Sequence, residues 1–220
     1  MALLTFPLPV SDFMGRLPIA QATFEIPESL EVSETDGGDI LTAEIGTRLW
    51  RGEITLGKIT RDEEADAATL IDVLRSGRTF LAYDVRRPWP RADVNGTILG
   101  ASAVQIHTLE ANNRQMRLKG LPPGYELRRG DYIGWDYGAN PVRRALHKVV
   151  DLSVTASGTG ITPSFEVVPN IRAGAAVSSA VRLVRAYCTA IIVPGSVSPG
   201  ASRSTLTEGT KFSWQQTLRY

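Results

Sequence analysis

One cysteine, two histidines and only short apolar runs leave most functional chemistries without their usual parts. The lone Cys188 excludes an internal disulfide and a thiolate metal cage, and in AYCTAIIV it reads as an inert core residue. His107 and His147 fall in separate predicted strands, and no HExxH, HxxEH or CxxC spacing supplies the further ligands that a zinc site needs. Net charge is nearly absent: 24 Lys and Arg stand against 23 Asp and Glu, so no global field draws the chain to nucleic acid or an anionic membrane. The longest apolar run, TAIIV at Thr189–Val193, is far short of the roughly 18 residues of a membrane span, and no membrane insertion is expected. MALLTFPLPVSDFMGR has early prolines and no basic n-region, so it does not read as a signal peptide. The expectation is a chain made and used without crossing a membrane. No repeat at the period of solenoids or propellers is visible.

What is present points to β-structure. A chain of 220 residues buries roughly 70% of its unfolded surface, enough for one large or two small cores. Its 20 glycines and 13 prolines are spread along the length, which predicts many short elements joined by turns. Residues 1–20, with Pro7, Pro9 and Pro18 among the bulky Phe6, Leu8 and Phe13, read as an extended arm that lies against something. Strands are predicted at Ala22–Ile26 and Ala43–Leu56, the latter alternating through Ile45, Thr47 and Leu49 and then Ile54 and Leu56, with a turn or bulge at Arg51 and Gly52. The period then changes. Ala67, Leu70, Ile71 and Leu74 form one helical stripe within Thr60–Gly77, opened by a Thr60/Glu63 capping box and closed by Gly77. The acids Asp62, Glu63 and Glu64 complement its dipole rather than form a catalytic cluster.

After a strand at Thr79–Val85, RRPWP (Arg86–Pro90) interrupts both helix and central-strand pairing and marks a domain junction. Hairpins follow: a turn at Asn95–Gly96, alternation through Val104, Ile106 and Thr108, a turn at Ala111–Asn113, and a return strand through Met116 and Leu118. In GLPPGYELRRGDYIGW (Gly120–Trp135) the glycines and prolines set turns. The strand that follows places Tyr132, Gly134 and Asp136 on one face and Ile133, Trp135 and Tyr137 on the other. ALHKVV continues the meander, Leu146 and Val150 opposite His147. A turn at Ala156–Gly160, a strand carrying Phe165 and Val167, and a small-residue linker at Arg172–Ala180 come next. VRLVRAYCTAIIVP reads as one long strand, Ser196–Lys211 as a mobile polar loop, and Phe212, Trp214 and Leu218 as a closing strand. The chain thus divides into an arm at 1–20, a β domain from 21–90 and 180–220, and a β-barrel inserted at 91–179.

Searching these elements for chemistry gives little. DGGD (Asp36–Asp39) lacks the ligand series of a calcium loop and reads as a turn. GTGITP (Gly158–Pro163) has a proline where the third glycine of a dinucleotide fingerprint belongs and no βαβ unit around it. Glu126, Asp131 and Asp136 offer a glycosidase carboxylate pair in composition only. RRPWPR (Arg86–Arg91) mixes cations with an aromatic, but one such cluster on a neutral chain is read as Trp89 packing between domains. No catalytic residue, cofactor or metal is expected.

The order of the motifs is the most specific signal. FLAYDVRRPWP, LKGLPPGYELRRGDYIGW, LHKVV, a Gly-rich turn leading to FEVVPNIR, VRLVRAYCTAIIV and a terminal FSWQQTL together resemble the distal tail proteins of siphophages and proteobacterial prophages, over about residues 45 to 220. The resemblance implies a tube-type β-sandwich or barrel domain with one packed helix, carrying an inserted small β-barrel. It implies a structural virion protein and no enzyme: a hexameric ring at the tail tip or baseplate hub, made in the bacterial host cytoplasm. Its partners would be further copies of itself, the tail tube protein and the hub or tip proteins, with genome DNA passing through the bore without specific binding. Phe6, Leu8, Phe13, Arg86, Arg87, Trp89 and Arg203 are the candidate assembly contacts. An alternative is a carbohydrate-binding module that stacks sugars on exposed Tyr125, Tyr132 and Trp135, and a more remote one a glycan hydrolase using Asp131 or Asp136.

Overall fold

The computed structural model describes residues 3–44, 46–203 and 205–219, so the alternation predicted through Ile45 lies in part outside the described residues. From the N-terminus the elements are β1 (Ile19–Ala22), β2 (Leu30–Glu34), β3 (Ile40–Glu44), β4 (Arg51–Leu56), β5 (Ile59–Thr60), α1 (Arg61–Arg75) and β6 (Phe80–Tyr83). There follow β7 (Gln105–Leu109), β8 (Gln115–Lys119), β9 (Glu126–Arg128), β10 (Tyr132–Tyr137), β11 (Arg143–Val149), β12 (Ser153–Thr155), β13 (Phe165–Val168) and β14 (Val181–Arg182). The chain closes with β15 (Tyr187–Ile192), β16 (Ala201–Ser202), β17 (Leu206–Glu208) and β18 (Lys211–Gln216). The fold is mainly β with one α-helix, as the spread of turn residues predicts.

β1, β4, β18, β15 and β6 form, in that order, a five-stranded antiparallel sheet. Strands from both ends of the sequence therefore interleave. β4 runs through Arg51 and Gly52 without the turn or bulge expected there: Gly52, Ile54 and Leu56 all face the core, and the phase changes because the strand predicted over Ala43–Leu56 is two, with Ala43 and Glu44 ending β3 and β4 starting at Arg51. Gly52 pairs with Trp214, and a Cβ on it would sit 2.1 Å from the Thr23 carbonyl oxygen and 3.0 Å from the indole. The missing side chain is what lets the tryptophan lie across the strand. The irregularity is in β1, between Ile19 and Gln21.

Helix α1 has the predicted start. The Thr60 hydroxyl accepts from the Glu63 backbone N–H and the Glu63 carboxylate accepts from the Thr60 N–H at 2.9 Å, satisfying two donors that the first turn would otherwise leave without partners. That bond also holds the Glu63 carboxyl below its ordinary pKa. Gly77, at φ 87°, takes the left-handed position after the last turn. Ala67, Ile71 and Leu74 are buried against the sheet core, with Leu70 packed at its margin.

Between β6 and β15 a six-stranded sheet, ordered β14, β10, β11, β13, β8, β7, curls until its ends meet. Gln105 bridges Ala180, and Val181 donates its N–H to the Val104 carbonyl at 2.8 Å, which makes the sheet barrel-like and nearly closed. Ile106, Met116, Leu118, Ile133, Trp135, Phe165 and Val167 fill it. Three expectations change here. Asn95–Gly96 is a short 3-10 turn, not the tip of a hairpin. The run VRLVRAYCTAIIV is two strands: β14 belongs to the barrel and β15 to the five-stranded sheet, the chain crossing over at Arg185 with φ 45°. That moves the boundary placed at 180 to just beyond Leu183, which packs in the barrel core. The polar segment 196–211 contains β16 and β17, which pair with each other and with β5 in a three-stranded sheet.

His147 lies in the barrel wall, stacked on Trp135 at 4.5 Å with rings nearly parallel, its Nδ1–H donating to the Pro169 carbonyl at 2.7 Å. Burial pushes its pKa down to about 4, the Pro169 bond partly opposing and the charge of Arg172 adding to the fall. The unfolded imidazole titrates near 6.5, so the unfolded chain binds more protons as the pH drops. Stability is fully present above that pH and is lost as the pH falls towards the folded value. Gly52→Ala is expected to lower the urea stability by about 1–3 kcal/mol, since neither backbone oxygen nor indole can withdraw freely. Between pH 6.5 and 5, wild-type stability should decline with a slope of up to about 1.4 kcal/mol per pH unit that His147→Phe flattens; parallel slopes for the two proteins would show that the imidazole is not the group responsible.

Candidate functional site

The segment from Leu8 to Phe13 packs onto its own chain. Leu8 donates its N–H to the Thr79 carbonyl and accepts from Leu81, which stitches it beside β6, and it is buried. Phe13 is fully buried, edge-on to Phe80 at 5.0 Å and beside Phe212 at 5.9 Å. Neither presents surface to a neighbour, which corrects their assignment as assembly contacts; both are core residues of their own chain. Phe6 is half-buried beneath the Arg78 guanidinium.

Arg86 is exposed, but its guanidinium turns back onto a buried partner. Its guanidinium forks onto the buried Asp84 carboxylate at 3.0 and 3.1 Å, and the Tyr132 hydroxyl donates to the same carboxylate at 2.9 Å. One buried acid thereby ties β6 and the junction loop to β10 of the barrel. Burial raises the pKa of the Tyr132 phenol, and the Asp84 charge raises it further. Exposed Arg87 lies against Gly130. Half-buried Trp89 sits under Arg185 at 5.6 Å, where the Arg185 N–H also donates to the Pro88 carbonyl. The two segments that enter and leave the barrel meet at that point. Arg203 is remote from this cluster, exposed and 3.7 Å from Glu208.

Three aromatics proposed as sugar platforms are all inside. Tyr125, Tyr132 and Trp135 are 3%, 5% and 0% exposed, so none offers a face to a glycan, and the carbohydrate-binding reading loses its residues. The reason is physical: β10 has a core on each side. Trp135 fills the barrel, whereas Tyr132 joins Phe24 and Trp50 in the other core, with the Lys148 ammonium 4.8 Å from the Trp50 ring and 5.2 Å from that of Tyr132. Burial lowers the pKa of Lys148, and the neighbouring Arg87 charge adds to this. Trp50 donates its indole N–H to the Leu146 carbonyl at 2.7 Å, fastening the two cores together.

The acids are committed as well. Asp131 is buried and accepts from the backbone N–H groups of Arg91 and Arg128, a turn-locking role; burial raises its pKa although those bonds oppose it. Asp136 pairs with Arg182 at 2.6 Å, and Glu126 with Arg128 and Ser153. His107 and His147 lie on separate strands, β7 and β11. Among the described residues no group of three His, Cys, Asp or Glu side chains is placed to hold a metal ion, and no helix is long and apolar enough to cross a membrane.

What the sequence reading overlooked is the hairpin of β2 and β3. Among the described residues it pairs only with itself, Leu30 opposite Glu44 through Glu34 opposite Ile40, and the Thr35–Asp39 turn closes it with the Asp39 and Gly38 N–H groups held by Thr35. Each strand is about 17 Å long. Leu30, Val32 and Ile40 share one face and Leu41 lies on the other, at 43%, 63%, 67% and 58% exposure. Such a cluster is what a soluble surface ordinarily covers. Its charge is one-sided: from residue 17 to residue 47 there are seven acids (Glu25, Glu28, Glu31, Glu34, Asp36, Asp39, Glu44) and no lysine or arginine. That run was the available signal. Beside the hairpin's base an open cleft of about 810 Å³ is lined by Arg48, Arg114 and Arg172, with Glu28 the one carboxylate among its lining residues.

No family model matches the chain, and no curated protein does so either.

Removing the Tyr132 hydroxyl tests the tie between barrel and sheet. Tyr132→Phe is expected to cost about 1–2 kcal/mol in denaturant unfolding, because the buried Asp84 loses a donor while the ring keeps its packing. In combination with Arg86→Ala the loss should exceed the sum of the single changes.

Proposed function

We propose that this chain is a structural ring protein of a phage tail, a distal tail component that joins the tail tube to the tail tip or baseplate. The observation that carries this reading is the unpartnered hairpin: four large apolar side chains on a two-stranded ribbon, which cannot hold its shape by its own burial and gains from a partner laid against it. A protomer with such an element on one side and a receptive surface on another makes head-to-tail contacts, and these close into a ring when the rotation per step divides the circle. Six copies is the arrangement that the resemblance of the motif order implies. The same resemblance places tail tube and hub proteins on either side and the genome in the bore.

Other features support a scaffold. The large aromatics are spent on two cores and the seam between them, and the acids weighed for hydrolysis hold turns and arginines. The exposed face of the five-stranded sheet carries Arg51, Glu53, Lys211 and Gln215, a balanced polar surface in keeping with a bore that lets DNA slide.

Purified protein, examined by light scattering and electron microscopy over a concentration series, should form closed rings, and Val32→Asp with Ile40→Asp should leave monomers with an unchanged far-UV spectrum. A wild-type chain that stays monomeric at every concentration and is absent from tail particles would end this reading.

A further inference from the structure

We infer that the acidic hairpin of one protomer docks in the arginine-lined cleft of the next copy, so that the ring closes through one repeated charge-matched contact. The inference rests on the ring reading above and names the two surfaces that make it.

Both surfaces are unbalanced in a chain that is neutral overall. The hairpin presents Glu31, Glu34, Asp36 and Asp39 around its exposed apolar residues, with no cation within its own stretch of sequence. Like charges crowded on a narrow ribbon repel one another and are relieved by a cationic partner. The cleft supplies one. Arg48 and Arg172 are held in place by donating to the Pro27 and Arg48 carbonyls at 3.3 and 3.1 Å, so part of their hydrogen-bonding capacity is fixed and the positive charge is aimed by backbone rather than by a carboxylate. Arg172 has a further guanidinium nitrogen, Nη1, buried with no protein partner. Arg114, more than half exposed, shares its charge with Glu166.

Position decides between a contact within one chain and a contact between chains. The cleft lies at the hairpin's base, lined by Glu28, Ser29 and Leu30 where β2 begins, whereas Asp36 and Asp39 lie at the far tip, about 17 Å of strand away. A hairpin whose strands are paired along their length cannot fold its tip back to its own base. The tip of a second copy can enter, and Leu30 at the cleft's edge then meets that copy's apolar stripe. Tip to base is a head-to-tail contact, as ring closure requires.

The test is a charge swap. One full-length protein carries Glu34→Lys, Asp36→Lys and Asp39→Lys; the other carries Arg48→Glu and Arg114→Glu. Each alone should self-associate roughly tenfold more weakly or worse, read by sedimentation velocity. An equal mixture should recover assembly, because each reversed hairpin then meets a reversed cleft and each native hairpin a native cleft. If the altered proteins assemble like wild type, or if both are weakened and mixing restores nothing, the hairpin does not pair with this cleft although the ring reading survives. If wild type never associates, or the hairpin becomes protected only when a different tail protein is added, a second copy is not the occupant. Should a reversed protein fail to fold, Asp36→Asn with Asp39→Asn serves instead: wild-type association should weaken with added salt and the neutralised protein should lose most of that dependence, and equal salt slopes would overturn the proposal.

Discussion

Strands β10 and β11 have no solvent face along the middle of their length, and the organisation of the molecule follows from that. Ile133, Trp135, Ala145 and His147 look into the barrel while Tyr132 and Leu146 look into the sheet core, so two hydrophobic cores share one ribbon of backbone. A linker joining two independent globules would leave each with its own polar surface at the boundary. Here the boundary is apolar, and the polar groups that must lie in it are matched: the Trp50 indole to a carbonyl, the Tyr132 phenol and Arg86 to Asp84, Lys148 to two aromatic rings. Matched polar groups in an apolar boundary hold the two lobes against each other without leaving a buried donor or charge unanswered.

Around that seam the sequence was legible wherever a local rule and the tertiary structure agree. The capping box at Thr60 and Glu63 marks its helix because both hydrogen bonds lie within one turn of chain. The period-two pattern of Tyr132–Tyr137 sorts the side chains correctly between faces. It does not say what covers each face, which leaves room for the alternative of Tyr132 and Trp135 as exposed platforms when each has a different core over it. Similarly, VRLVRAYCTAIIV is apolar throughout, and only the left-handed backbone at Arg185, invisible in composition, divides it between two sheets.

The hairpin escaped for the opposite reason. Its apolar residues do not keep to one side, since Ile40 and Leu41 are adjacent, and strand reading looks for a buried side that the described residues of this ribbon do not have. The charge bias of residues 17–47 was the better clue, because seven like charges without a counter-ion are costly unless some other surface answers them.

Interleaving of β4 with β18 has a consequence for biogenesis. The barrel between β6 and β15 is complete in sequence before the strands that finish the five-stranded sheet emerge from the ribosome, so it is the first lobe able to mature and must wait with its β10–β11 flank uncovered. Only when residues 211–216 arrive does Trp214 slide over Gly52 and seal the amino-terminal lobe. A truncated product ending before that point would keep the β2–β3 hairpin and the barrel but lack the strand that completes the five-stranded sheet, so synthesis of the last residues is what closes the amino-terminal lobe.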